Sequence, residues 1–319
     1  MALADARMLA GPTPSLVGAS PYPCDQLDVW GGRAFWMPPG DPRLQAIHEG
    51  EPAPTPPLEN LEGAVRYWDE HPDWMEFLDP ESPSYEDKMV ERALYLDLWG
   101  PHIRPGARVL DLGGGVGRFM QLLLEQDCAV ELVDPDLRSL WRAVSSAGLV
   151  SSGRLDVHWT TGECLPALDP VDLVVATEVL CYVEDPVKVL ANVHRVLRPG
   201  GVLLVSVEAR WGWAMAADAH EGSIENFFGT GVVHVPRDRW VQTYEEQGLR
   251  DILEAAGFVI EALQPSHYAM SGPFEQAAGP LDVDEALALE ARLRAHPVAG
   301  GLNRAWMVVA RKRESTAIS

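Results

Sequence analysis

The sequence predicts an α/β protein built on a doubly wound sheet, preceded by an irregular and helical N-terminal extension. Two observations carry that expectation. In the run Val109 to Phe119, VLDLGGGVGRF, an apolar strand pattern closes on Asp111, and Gly113, Gly114, Gly115 and Gly117 then open a helical pattern, MQLLLEQ. Downstream, strand-like apolar runs alternate with helical ones in AVELVDPD, VDLVVATEVL, VLANVHRVL and VLLVSVE, the rhythm of strand–helix–strand crossovers.

Residues 1–60 contain GPTPSLVG, PYP, WMPPGDP and EPAPTPPLEN, rich in proline and poor in periodicity. Leu27, Val29, Trp30, Phe35, Trp36 and Met37 supply more apolar anchors than a solvated tail needs, so this extension is expected to pack on the core and cover part of the active site. Residues 61–100 read as a helical cap. One or two short helices fit LENLEGAVRYWDEHPDWMEFL, and a longer one fits SYEDKMVERALYLDLWG, starting near a Ser and ending at Gly100. Residues 101–319 form the core, with insertions at about 209–244 and 264–304.

The glycine turn lets backbone approach a ligand closely, and its spacing limits which ligand. A dinucleotide fingerprint needs its third glycine where Arg118 stands, because helix and strand pack tightly there. No Gly-Lys-Ser/Thr ending is present to cradle a triphosphate. With an acidic residue just before the glycines, VLDLGGGVGR resembles the glycine loop of the class I S-adenosylmethionine-dependent methyltransferases.

That resemblance extends along the chain. AVELVDPD ends at Asp134, about twenty residues past the glycines, where a doubly wound fold places the carboxylate that binds a ribose. TTGECLP, Thr160 to Pro166, resembles the segment beside the adenine; VDLVVATEVLCYVEDP and VLANVHRVLRPGGVLLVSVE resemble the fourth strand, its helix and the fifth strand. The similarity covers about Tyr85 to Phe258 and a last strand at Ala305 to Lys312. It implies a Rossmann-like, mostly parallel sheet with an antiparallel last strand, S-adenosyl-L-methionine as cofactor, and a cofactor site at Asp111, Gly113, Gly114, Gly115, Asp134, Pro135, Gly162, Glu163 and Thr177. Thr161 stands where relatives place an Asp for the adenine, which leaves the purine to the Gly162 backbone and Glu163. Cys181 and Tyr182 replace a frequent Glu-His. Asp134 has an alternative role as a helix cap, and Tyr182 as an aromatic packed on the following helix.

The chain has 319 residues, 47% of them apolar, enough to bury a substantial core. A formal charge of −22 argues against nucleic acid, whose phosphates need clustered Lys and Arg. Cys24, Cys128, Cys164 and Cys181 lack metal-ligand spacing and imply neither a zinc site nor a disulfide frame. No basic-then-apolar leader and no run of membrane-spanning length is evident, so a cytoplasmic protein is expected; composition does not assign an oligomeric state.

In an open parallel sheet ligands lie beyond the carboxyl ends of the strands, and both insertions emerge near that edge. They are expected to build the acceptor pocket from Trp211, Trp213, Phe228 and Tyr268, with Tyr182 from the core. Such a set suits a small aromatic or apolar acceptor and shields a sulfonium from water. Where the acceptor must lose a proton, His234 and His220 are the first candidates for the base, with Glu221 and Glu225 as acidic alternatives and His267 also in the variable segments. His194 reads as structural. The function expected is methyl transfer to oxygen, nitrogen or carbon of a small molecule, in specialised metabolism. The alternatives are quinone or lipid methylation, or a non-catalytic cofactor-binding module.

Overall fold

The computed structural model describes residues 78–313, apart from 137–138, 141, 144–153, 217–219 and 236–239. The expected extension over residues 1–60 and the cap up to residue 77 lie outside the described residues. What remains of the cap is α1, Tyr85–Trp99, preceded by Ser84, with Glu86 and Asp87 in its first turn where the helix dipole favours acids, and stopped at Gly100. Its inner face buries Val90, Leu94, Tyr95 and Trp99, the last two stacked at 4.7 Å, and also Glu91.

The core follows as β1 (Arg108–Leu112), α2 (Arg118–Glu125), β2 (Ala129–Asp134), β3 (Leu155–Trp159), β4 (Val171–Thr177), α3 (Pro186–Val196) and β5 (Leu197–Glu208). Asp185 caps α3 by accepting from the Lys188 amide, and Pro186 fills the first turn, where a missing N–H costs nothing. The first insertion holds α4 (Arg210–Met215), α5 (Ile224–Phe228) and an antiparallel hairpin of β6 (Val232–His234) and β7 (Trp240–Gln242). Then come α6 (Glu246–Ala255), β8 (Phe258–Ser266), α7 (Glu275–Ala278), α8 (Val283–Ala295) and β9 (Ala305–Lys312). A reciprocal capping box, Asp282 with Glu285, starts α8.

Seven strands pair in the order β3-β2-β1-β4-β5-β9-β8. β1 to β5 run parallel, and β9 is antiparallel to both β5 and β8. The sheet is therefore Rossmann-like and mostly parallel, and its antiparallel last strand is inserted one place in from the edge. Layers on both faces explain the near-continuous apolar strands: Tyr95, Trp99, Phe119 and Leu123 cover one side, and Leu190, Val193, Leu249 and Leu253 the other. Strand order reverses between β1 and β4, which opens a crevice at their carboxyl ends and fixes the site there. Cys128 and Cys181 are buried free thiols. Among the described residues no helix is long and apolar enough to cross a membrane.

Candidate active site

The glycine turn joins β1 to α2 and is tied to the neighbouring strand, since the Gly113 and Gly114 amides both donate to the Val133 carbonyl, at 2.7 and 3.3 Å. Gly113 has φ +65°, and a Cβ there would lie 2.5 Å from Val179 Cγ2; one on Gly114 would lie 2.4 Å from Leu132 Cδ1. The cradle thus exists only without side chains. At the end of β2, Asp134 accepts from the Gly115 amide at 2.9 Å and from the Asp136 amide at 2.7 Å. Asp136, not Asp134, accepts from the Ser139 amide and hydroxyl, at 2.8 and 2.6 Å, so the capping alternative for Asp134 falls to its neighbour.

Burial pushes the Asp134 carboxyl up to about 7, helped by the nearby Asp136 charge. Asp111 is likewise pushed up to about 7 by burial, and its Oδ2 has no hydrogen-bond partner. Both carboxyl groups face a cavity of about 420 Å³. The same wall holds Gly113, Gly114, Gly115, Pro135, Gly162, Glu163 and Thr177, so every residue expected at the cofactor lines one space. Two of them also do structural work: Asn192 Nδ2 donates to the Gly162 and Glu163 carbonyls at 2.9 and 3.0 Å, and Glu163 Oε1 accepts from the Glu184 amide at 2.9 Å.

The cavity continues past β4 into a charged end. Glu178, at φ +59°, donates its amide to Ser206 and accepts from the Tyr95 hydroxyl at 2.7 Å. Burial, then the Glu178 charge, raises that phenol well above its ordinary range and keeps it a donor. Tyr182 donates to Glu208 at 3.4 Å; Glu208 pairs with Arg304, whose guanidinium lies 3.9 Å from the centre of the Trp213 ring. On α1, Glu91 pairs with Arg118 at 2.6 Å and Lys88 at 2.8 Å. Burial alone would raise its carboxyl, but Arg118, then Lys88 and His267, hold it well below the usual range.

Of the residues expected at the acceptor, Tyr182 and Trp213 line this cavity. Trp211, Phe228 and Tyr268 do not. Phe228 is 70% exposed at the end of a one-turn helix, with Trp211 packed edge-on against it. Tyr268 is fully buried, its hydroxyl donating to the Gly300 carbonyl at 2.7 Å. Neither candidate base reaches the wall. His234 is exposed because strand alternation in β6 turns Val233 inward and its neighbour out. His220 packs on Phe227 and Trp213, ring centres 5.0 and 6.4 Å away. The imidazole that does line the cavity is His267.

A family model described as a methyltransferase domain matches residues 88–263, more than half of the chain. The chain belongs to that methyltransferase family. An uncharacterized methyltransferase of Mycobacteroides abscessus is 30% identical over 141 residues, which cover 43% of this chain and 53% of the relative. A tRNA 5-carboxymethoxyuridine methyltransferase of Escherichia coli K12 is 38% identical over 99 residues, 30% of this chain and 38% of the relative. The chain thus spans about half or less of these relatives' lengths. Among solved structures, 1,6-didemethyltoxoflavin-N1-methyltransferase of Burkholderia thailandensis, with 1,6-didemethyltoxoflavin and S-adenosylhomocysteine bound, shares the fold at a TM-score of 0.51 and 20% identity, over 82% of this chain and 94% of that one.

In this methyltransferase chain, sequence reasoning missed Lys88, Glu91, Glu178, Glu208 and Arg304 as wall residues and used Arg118 only to exclude a dinucleotide. They come from α1, α2, β4, β5 and the approach to β9, segments that no local pattern joins. One signal was available. Glu178 and Glu208 each close an apolar strand run, where a carboxylate is buried or at a site.

Proposed function

We propose that this chain transfers a methyl group from S-adenosyl-L-methionine to a small-molecule acceptor. The observation that carries this reading is a single cavity that joins the glycine cradle and Asp134 to Tyr182, Trp213 and Arg304, so that donor and acceptor share one space. The residues fit the donor. The cradle admits no side chain, and the unpartnered Asp111 Oδ2 is a buried acceptor awaiting a donor group. Asp134 would hold the ribose hydroxyls, the Gly162 backbone with Pro135 and Glu163 would hold the adenine, and the glycine turn with Thr177 would receive the amino-acid end. When bound, the cofactor supplies an electrophilic sulfonium methyl, and the chain's own contribution is chiefly positioning and exclusion of water.

The acceptor end is more polar than its aromatics alone imply. Trp213 and Tyr182 offer flat surfaces, while Glu178 and the Glu208–Arg304 pair offer fixed charges, which suits a ring bearing a polar group. The charge of −22 supports a small acceptor over nucleic acid. The test is formation of S-adenosylhomocysteine from S-adenosyl-L-methionine, read as homocysteine after a coupled hydrolase, with a panel of phenols, amines, quinols and lipid headgroups. Release stimulated by a small phenol or amine supports the reading; stimulation by quinols or lipids alone moves it to those classes. Trp213→Ala should raise the acceptor KM or lower turnover roughly tenfold while S-adenosylhomocysteine affinity stays put. Loss of cofactor affinity instead would place Trp213 at the donor.

A further inference from the structure

Among the described histidines, His267 stands apart in its backbone and in lining the cavity. It follows directly on β8 with φ +59°, a region that non-glycine residues keep only where surrounding structure enforces it. The enforcing contacts are present. Glu290 of α8, itself 1% exposed, accepts from the Tyr268 and Ala269 amides at 2.7 and 2.8 Å. The His267 carbonyl accepts from the Arg304 amide at 3.1 Å, and Gly272 approaches so closely that a Cβ there would lie 2.2 Å from that carbonyl. A carboxylate, a strand neighbour and a glycine together hold one strained residue at the cavity wall.

The imidazole is 2% exposed and packs on the Tyr95 ring at 5.0 Å. Nδ1 lies 3.1 Å from the Ser266 hydroxyl, whereas Nε2 makes no hydrogen bond. Glu91 and Tyr95 of α1 face it directly; Lys88 of α1, Arg118 of α2, Glu178 and Arg304 line the same cavity, and Glu290 of α8 holds the next two amides. Glu91 is nearest, its Oε1 3.8 Å from Nε2, but that carboxylate is already committed to Arg118 and Lys88. Nε2 is therefore a buried atom without a hydrogen bond, on a residue that lines the same cavity as Tyr182, Trp213 and Arg304.

Resting on the methyl-transfer reading, we propose that His267 is the group that takes the acceptor's proton and that Glu290 is its positioning residue. In the step, the acceptor heteroatom forms a bond to the methyl carbon and the carbon–sulfur bond breaks, its electron pair going to the sulfur of S-adenosylhomocysteine. The heteroatom's proton moves to Nε2, and the resulting imidazolium faces Glu91 until it passes the proton to water.

The test uses the full chain labelled with ¹⁵N-histidine, His267 being assigned by the signal missing from His267→Gln. With S-adenosylhomocysteine present, at about pH 7 to 8, the neutral tautomer with its proton on Nδ1 and a bare Nε2 is expected. A proton on Nε2 in that range overturns the proposal, whether or not an acceptor is in hand. With an acceptor from the release assay, His267→Gln should keep S-adenosylhomocysteine affinity and lose roughly 100-fold in kcat at about pH 7, the loss shrinking as alkali ionises the acceptor unaided. Glu290→Ala should lower kcat more than it raises KM, and Glu290→Gln, which retains the accepting oxygen, should rescue it. A loss equal at every pH, or none, rejects His267 as proton acceptor. Wild-type protein that neither binds nor forms S-adenosylhomocysteine rejects the methyl-transfer reading and this proposal with it, whereas retained binding and turnover with a proton on Nε2 rejects this proposal alone.

Discussion

Asp111 and Asp134 are the residues whose chemistry most directly reports occupancy of the site. Both are raised to about 7 by burial, whereas ribose hydroxyls donate best to an ionised carboxylate. Binding should therefore strip a proton from Asp134, so S-adenosylhomocysteine affinity should rise from about pH 6 to about pH 8 and then level off, with proton release seen by calorimetry in buffers of different ionisation enthalpy. Affinity flat across that range contradicts the ribose contact. The same shifts bear on stability. A carboxyl raised in the folded state contributes stability that is full below its unfolded value, about 3.9, and is lost as pH rises through about 7. Asp111→Asn, which cannot ionise, should accordingly raise the melting temperature of the unliganded protein most at about pH 8, less at about pH 5 and little at about pH 3. At this scale the place of Asp134 on the cavity wall was legible because one spacing sets it, while His267 was named only behind His234 and His220, because its place comes from a backbone angle and a distant carboxylate.

Among the elements, the glycine turn and α1 carry the clearest consequences. Gly113→Val forces a branched side chain into positive φ and against Val179, so it should abolish cofactor binding and destabilise the fold by about 1–3 kcal/mol, measured by calorimetry and urea unfolding. The α1–α2 contact depends on Arg118 and Glu91, whose side chains are only 14% and 8% exposed. Arg118→Met leaves Glu91 buried with Lys88 alone and should cost about 3 kcal/mol in urea unfolding. A cost near zero would show that Lys88 alone compensates Glu91. The end of α1 was readable because Gly100 stops it. The β6–β7 hairpin was not. Strands of three residues are shorter than any pattern, and the register that exposes His234 is set by the pairing of Val233 with Val241.

For the molecule as a whole, the strand–glycine–helix turn and the succession of apolar runs fixed the expectation of a doubly wound sheet, because buried parallel strands leave continuous apolar segments. The place of β9, between β5 and β8, has no counterpart in local sequence; it arises when seven strands complete their pairing. The cofactor half of the site was legible for the same reason as the fold, being built from consecutive strand ends. The acceptor half was not, since its charges converge from elements far apart in the chain. The central claim is that the crevice between β1 and β4 holds S-adenosyl-L-methionine, and calorimetry with S-adenosylhomocysteine and with NADH, on the wild type and on Asp134→Ala, tests it most directly. The account predicts saturable S-adenosylhomocysteine binding that weakens by about 1.5–3 kcal/mol in the variant, and no NADH binding. Binding of NADH without S-adenosylhomocysteine, or equal affinity in wild type and variant, would contradict it.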